Sequence, residues 1–281
     1  MATVPTLAPP DPPEMPEGPQ RFPEWPAWFA LVGFLLGIGA TLLGVAVIGG
    51  IAVAAGADTD SPTFVVIGTL VQGIAFAASA VFFAGRVARP RAWHFGLRDA
   101  PLWRAIGWAA LGIAAFYLVT ALYGVAVKPD TEQKTVEALG GDKGTFGLIM
   151  AGVMVICVAP VLEEFFFRGF FYRALRNRFT VWVAALTDGV LFGAIHYSGD
   201  GLDGLLILPP LALLGVIFCL VYERTGSLLV PIGMHAFNNS VAYGALADDG
   251  WMVSVAVGPL MLVALLLAAR ALPPAPRLSS A

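Results

Sequence analysis

VLEEFFFRGFFYR, residues 161–173, follows an apolar run and sets two adjacent glutamates and an arginine where the chain otherwise reads as membrane interior. A carboxylate or guanidinium at that depth costs a few kcal/mol on insertion scales, so these groups need partners. Glu164 and Arg168 are four residues apart and can pair on a helix. Glu163 points about 100° away from Glu164. The two acids therefore face different surroundings: one looks structural, the other available for chemistry.

The rest of the chain supports a membrane setting. Of its 281 residues, 58% are hydrophobic and 12% charged, with a mean hydropathy of +0.80. Soluble domains run at about 45–50% apolar and about 25% charged. The composition therefore predicts an integral membrane protein. A net charge of −3 offers no basic surface, so a nucleic-acid partner is not expected. Cys157 and Cys219 lie in apolar runs and form neither a CxxC nor a disulfide framework. Residues 1–26 are rich in proline and acids and read as a disordered cytoplasmic tail without the basic n-region of a signal peptide.

A spanning helix needs about 20 apolar residues. Eight candidates appear, at roughly 27–57, 63–85, 104–127, 145–163, 180–197, 204–223, 227–247 and 251–270. The fold class read from them is all-α, a polytopic bundle of about eight transmembrane helices over 27–270, followed by a short tail at 271–281. Pro209-Pro210 should make the sixth span kink or start late. Of the 16 Lys and Arg residues, only Lys128, Lys134 and Lys143 fall on one side of this arrangement. The positive-inside rule then puts both termini in the cytoplasm. Gly33 and Gly37 allow a close helix approach, within the chain or in a dimer.

The ionisable residues inside the spans are few. Glu163 and Glu164 end the fourth expected span. Asp188 and His196 lie in the fifth, and His235 lies in the seventh with Asn238 and Asn239 after it. Phe192 stands one turn before His196, and His235 shares a helix face with Asn239. Asp188 has two readings: hydrogen bonding into a shared site, or hydrating the membrane end of its helix. His94, beside Trp93 in a basic loop, reads as an interfacial anchor. Glu223 and Arg224 read as an interface pair.

Polar clusters on three separate spans point to one shared polar site. Two chemistries fit. In one, Glu163 is a general base on a water that His196 orients, while His235 and Asn239 donate to an oxyanion. In the other, Glu163, His196 and His235 ligate zinc, with Glu164 or Asn239 in support. Both end in amide hydrolysis. HExxH is absent, which weakens the metal reading, and no GxSxG marks a serine nucleophile. A proton relay could use the same groups, but no internal repeat suggests a translocation path.

These residues resemble a known family. EEFFFR (Glu163 to Arg168) matches an EExxxR motif, FGAIH (Phe192 to His196) matches FxxxH, and HAFNN (His235 to Asn239) matches HxxxN. Together, in this order, they are similar to the CPBP intramembrane proteases, also called the ABI or CAAX-protease family, which include type II CAAX prenyl endopeptidases. The resemblance covers about 145–245. It implies a helical bundle with an intramembrane cavity, and a membrane-associated peptide or protein substrate, prenylated or not. It implies catalytic roles for Glu163, His196, His235 and Asn239, with Glu164, Arg168 and Phe192 supporting them. It leaves zinc dependence open. It also admits a non-proteolytic scaffold or a bacteriocin self-immunity factor; the Ala-, Gly- and Val-rich composition separately suggests a bacterial source and so a bacterial cytoplasmic membrane.

Overall fold

The computed structural model describes residues 23–127, 135–197, 199, 201–247 and 249–272. Among these there is no strand, and eight long helices make up the bundle. They are α1 (Trp28–Ala54), α2 (Pro62–Gly85), α3 (Leu102–Val127), α4 (Gly144–Arg176), α5 (Val181–Ala194), α6 (Leu208–Thr225), α7 (Leu229–Leu246) and α8 (Gly250–Ala271). Six of them (α1, α2, α3, α4, α6 and α8) are long and apolar enough to cross a membrane. At 1.5 Å per residue, 14-residue α5 reaches only about 21 Å, short of a hydrocarbon core of about 30 Å. α7 has 18 residues but carries His235, Asn238, Asn239 and Ser240 along its length. The expectation of about eight spans therefore holds for six by length and apolarity.

The boundaries follow local chemistry. Ser61 caps α2 by accepting a hydrogen bond from the Phe64 amide, and Pro62 opens the helix. Thr180 caps α5 through the Val183 amide. Pro209-Pro210 sits in the first turn of α6, so the helix starts late as expected rather than kinking. Gly226, in the left-handed region at φ +67°, ends α6.

The fourth span departs most from expectation. The helix does not stop at the glutamates but runs on to Arg176. Within it, Met154–Val158 and Phe167–Tyr172 are π-helical, and the Ala159 amide bonds to the Met154 carbonyl five residues back. Such widened turns are frequent at functional sites. They bracket Glu163 and Glu164.

α4 is also the centre of the bundle and packs on α1, α2, α5, α6, α7 and α8. Its phenylalanines explain why: Phe166, Phe167, Phe170 and Phe171 are all buried, with Phe34 and Phe76 packed against Phe166. Gly33 and Gly37 turn toward Phe170 and Phe76, so their close approach serves packing within the chain. α5 and α6 approach at Gly189, Gly193 and Gly215, where an added Cβ would meet backbone atoms. By contrast Leu35, Leu42, Leu43 and Ile51 of α1 are exposed, as a lipid-facing surface requires.

Two peripheral expectations resolve differently. His94 is buried, and its Nδ1 accepts a hydrogen bond from the Arg91 amide, so it belongs to the folded loop rather than to the interface. Glu223 pairs with Arg176 at 2.8 Å and accepts a hydrogen bond from the Tyr172 hydroxyl, while Arg224 lies over the Trp108 ring. Most of the expected N-terminal tail (1–22), two of the three lysines assigned to the far side (Lys128 and Lys134), and 273–281 of the C-terminal tail lie outside the described residues. Trp25 is buried between Phe95 and Phe170, and Asn177 Nδ2 donates to the carbonyls of Pro23 and Trp25.

Candidate active site

The three motif segments meet in space. Glu163 and Glu164 lie on α4 between its π turns, His196 just past the end of α5, and His235 and Asn239 on α7. Glu164 is fully buried. Its Oε1 accepts from Arg168 Nη1 at 2.8 Å and lies 2.9 Å from His235 Nδ1. A carboxylate paired with a guanidinium only accepts, so His235 Nδ1 carries a proton and neutral His235 presents an Nε2 lone pair.

That lone pair faces Glu163. His235 Nε2 and His196 Nε2 stand 3.9 and 3.8 Å from Glu163 Oε2. His196 Nδ1 lies 2.7 Å from the Phe192 carbonyl oxygen. A carbonyl can only accept, so this nitrogen is the donor and Nε2 of neutral His196 is also an acceptor. With both rings neutral, three acceptors converge, and among the described residues Glu163 Oε2 has no hydrogen-bond partner. Glu163 and His196 are each about a quarter exposed, whereas Glu164 is sealed. The division expected from the sequence is present: Glu164 is held structurally and Glu163 is open. Glu163 borders a cleft of about 40 Å³ between α2 and α4, lined also by Gln72, Gly73, Leu162 and Ile195. That is room for water.

Phe192 has a central place. Its ring lies 4.9 Å from His196 and 5.7 Å from His235, and the Arg168 guanidinium sits 4.4 Å from its centroid. Asn239 is turned toward α4, where its Nδ2 donates to the Val155 carbonyl at 2.9 Å, in the first π turn. An amide nitrogen carries two N–H groups, so one is not used by this bond.

Asp188 is fully buried rather than hydrating a helix end. Its Oδ1 lies 3.5 Å from Arg168 Nε and accepts from Cys219 Sγ at 3.2 Å. Sequence reasoning missed Phe218, Cys219 and the Gly215 and Val155 carbonyls, because nothing in an apolar run signals which of its atoms face a polar cluster. Among the described residues no three His, Cys, Asp or Glu side chains are placed to hold a metal ion. As a donor set, one carboxylate oxygen and two imidazole nitrogens suit zinc.

The family comparison covers the same residues. Residues 145–241 match the family model described as type II CAAX prenyl endopeptidase Rce1-like, as the motif resemblance implied. An "Uncharacterized 24.3 kDa protein" of Escherichia coli is 31% identical over 132 residues, 46% of this chain and 59% of the relative. The "Putative membrane peptidase YdiL" of Bacillus subtilis (strain 168) is 34% identical over 83 residues, 30% of this chain and 32% of the relative. The chain thus spans less than two thirds of either relative. No solved structure matches it significantly.

Proposed function

We propose that this chain, whose motif-bearing segment is Rce1-like, is an intramembrane endopeptidase that cleaves a peptide bond of a membrane-associated substrate, prenylated CAAX-like peptides being the first class to test. The observation that carries the reading is the convergence of His196 Nε2 and His235 Nε2, from two other helical segments, on the buried and unpartnered Glu163 Oε2.

Two acceptors 3.8 Å apart can share one water at hydrogen-bond distance from each. Glu163 is the base: its carboxylate takes one proton of that water while His196 Nε2 accepts the other and aims the oxygen. The hydroxyl oxygen attacks the substrate carbonyl carbon. The proton on Glu163 then passes to the departing amine as the carbonyl re-forms. The free N–H of Asn239 is the available neutral donor for the oxyanion. His235 becomes a second donor only when Nε2 gains a proton.

The unpartnered Glu163 Oε2 and the donor chemistry of the three side chains also suit the metal that the resemblance leaves open, but the side chains are not placed to hold it as they stand, so Glu163, His196 and His235 would have to draw together to be its ligands. Zinc, when bound, supplies Lewis-acid polarisation and a more acidic water. The setting we propose is a bacterial cytoplasmic membrane with both termini cytoplasmic, since all but three of the 16 Lys and Arg residues fall on one side of the eight-span arrangement read from the sequence.

The test is cleavage of a quenched farnesylated CAAX peptide by the purified protein in detergent. Wild type is run beside Glu163→Ala, each with and without a zinc chelator. Cleavage by wild type and none by the variant is expected, and chelator sensitivity decides the metal. Equal cleavage by Glu163→Ala removes the mechanism. Activity in neither moves the reading to another peptide or to a scaffold.

A further inference from the structure

Asp188 belongs to none of the three motifs, yet it is 0% exposed inside the bundle. A buried carboxylate carries a large desolvation cost and persists only among partners. Its Oδ1 accepts from Cys219 Sγ at 3.2 Å and stands 3.5 Å from Arg168 Nε, a charge contact rather than a hydrogen bond, while Oδ2 has no hydrogen-bond partner among the described residues. The simple reading is charge balance, but Glu164 alone already neutralises Arg168. What Asp188 adds is direction.

Arg168 is itself 0% exposed. A guanidinium is a rigid planar fork whose donors point along fixed lines. Nη1 donates to Glu164 Oε1 at 2.8 Å and Nη2 to the Gly215 carbonyl at 3.0 Å, while Nε faces Asp188. Phe192 and Phe218 lie 4.4 and 5.1 Å from its centre. Polar partners on three sides and rings against it leave the fork one orientation. Glu164 Oε1, held by that fork, is the atom on His235 Nδ1.

We propose that Asp188 is a positioning residue: through Arg168 it holds Glu164 on His235 Nδ1, and so keeps His235 Nε2 turned to Glu163 as an acceptor. The consequence for catalysis rests on the protease reading, whereas the tautomer of His235 does not. Asp188 touches no reacting atom. Losing such an outer partner costs about 10- to 100-fold in activity.

The experiment reads the tautomer directly. The chain has three histidines, so ring ¹⁵N spectra of histidine-labelled full-length protein in nanodiscs are simple to assign, using His94→Gln and His196→Gln. Wild-type His235 should be a single Nδ1–H tautomer. Asp188→Asn keeps the shape and an acceptor but drops the charge; Asp188→Leu drops both. His235 should populate both tautomers in Asp188→Leu, with Asp188→Asn between. In the peptidase assay kcat should fall by about 10- to 100-fold, with KM changed less than about twofold. Should neither variant fold, Cys219→Ala, which frees one bond on Asp188 Oδ1, should move the signal the same way by less. A wild-type His235 protonated on Nε2 overturns the proposal. So do unchanged His235 signals in a folded Asp188→Leu, or in Cys219→Ala where that variant is the one at hand. The predicted tautomer shifts in a protein that cleaves nothing would leave the positioning role standing and remove the protease reading instead.

Discussion

Glutamine placed at Glu163 and at Glu164, one at a time, should give opposite results. Glu164 Oε1 sits in two charged contacts, at 2.8 Å from Arg168 and 2.9 Å from His235, with all three side chains buried. Breaking a buried ion pair costs about 3–5 kcal/mol in soluble proteins. Polar contacts inside membranes average only about 0.6 kcal/mol each. The Glu164→Gln side chain keeps an acceptor, and Arg168 keeps Gly215 and Asp188, so we expect about 2–4 kcal/mol, between these limits. At about 2–4 °C per kcal/mol for a chain of this class, Tm should drop by roughly 5–15 °C. Glu163 Oε2 has no such bonds: the His196 and His235 Nε2 atoms stand 3.8 and 3.9 Å from it, and it is unpartnered. Glu163→Gln removes a partly buried charge and offers N–H groups to two imidazole acceptors. Its Tm should hold or rise while peptide cleavage disappears. Tryptophan-fluorescence melts of the purified proteins in detergent, run beside the cleavage assay, make the comparison. A Glu163→Gln protein destabilised as much as Glu164→Gln would refute the division of labour between the two acids.

Other outcomes follow from single contacts. Gly189→Ala puts a Cβ within 2.6 Å of the Ala212 carbonyl and 2.9 Å of the Val216 amide, so α5 and α6 must part. Melts should show a loss of about 1–3 kcal/mol, whereas Gly107→Ala, where nothing lies within 4 Å, should be neutral or gain up to about 1 kcal/mol from helix propensity. Asn239→Ala leaves the Val155 carbonyl without its donor and should cost about 1–2 kcal/mol; Asn239→Asp, which lacks the donor and faces the same carbonyl, should cost more in the same melts. Burial, with Arg173 and Arg91 adding to it, lowers the pKa of His94 from 6.5 to about 4. Above pH 6.5 the ring is neutral folded and unfolded. Below it the unfolded chain takes the proton first, so stability falls as pH drops from 6.5 toward 4. His94→Phe should flatten that part of a Tm-against-pH curve.

Much of this is legible in the sequence because helical spacing is local. The i,i+4 pairing of Glu164 with Arg168 is present, and so is the divergence of Glu163 from it. The motif spacing sets Phe192 one turn before His196, and its carbonyl does orient the ring. What spacing cannot supply is the rotation and depth of one helix against another. That is why the partner of Asn239 on α4 and the Arg168 contact of Asp188 appear only once the helices are assembled. The end of the fourth span differs from expectation for a related reason. A charge pair normally marks a membrane boundary, but here the pair is neutralised inside the bundle and the phenylalanines carry the helix onward.

The two widened turns of α4 have a consequence for counting residues. A π turn holds one residue more than an α turn, and one residue on a helix is about 100° of azimuth. α4 thus contains two phase slips, one on either side of the glutamate doublet. Leu148 and Ala151 before the first slip, Glu164 and Phe166 between them, and Arg173 and Ala174 after the second are all buried, although no single 3.6-residue stripe need join them. Removing one residue from either turn would restore an unbroken spiral and swing everything beyond it by nearly a third of a revolution. The doublet's aim into the bundle therefore depends as much on two surplus residues in the backbone as on the side chains themselves.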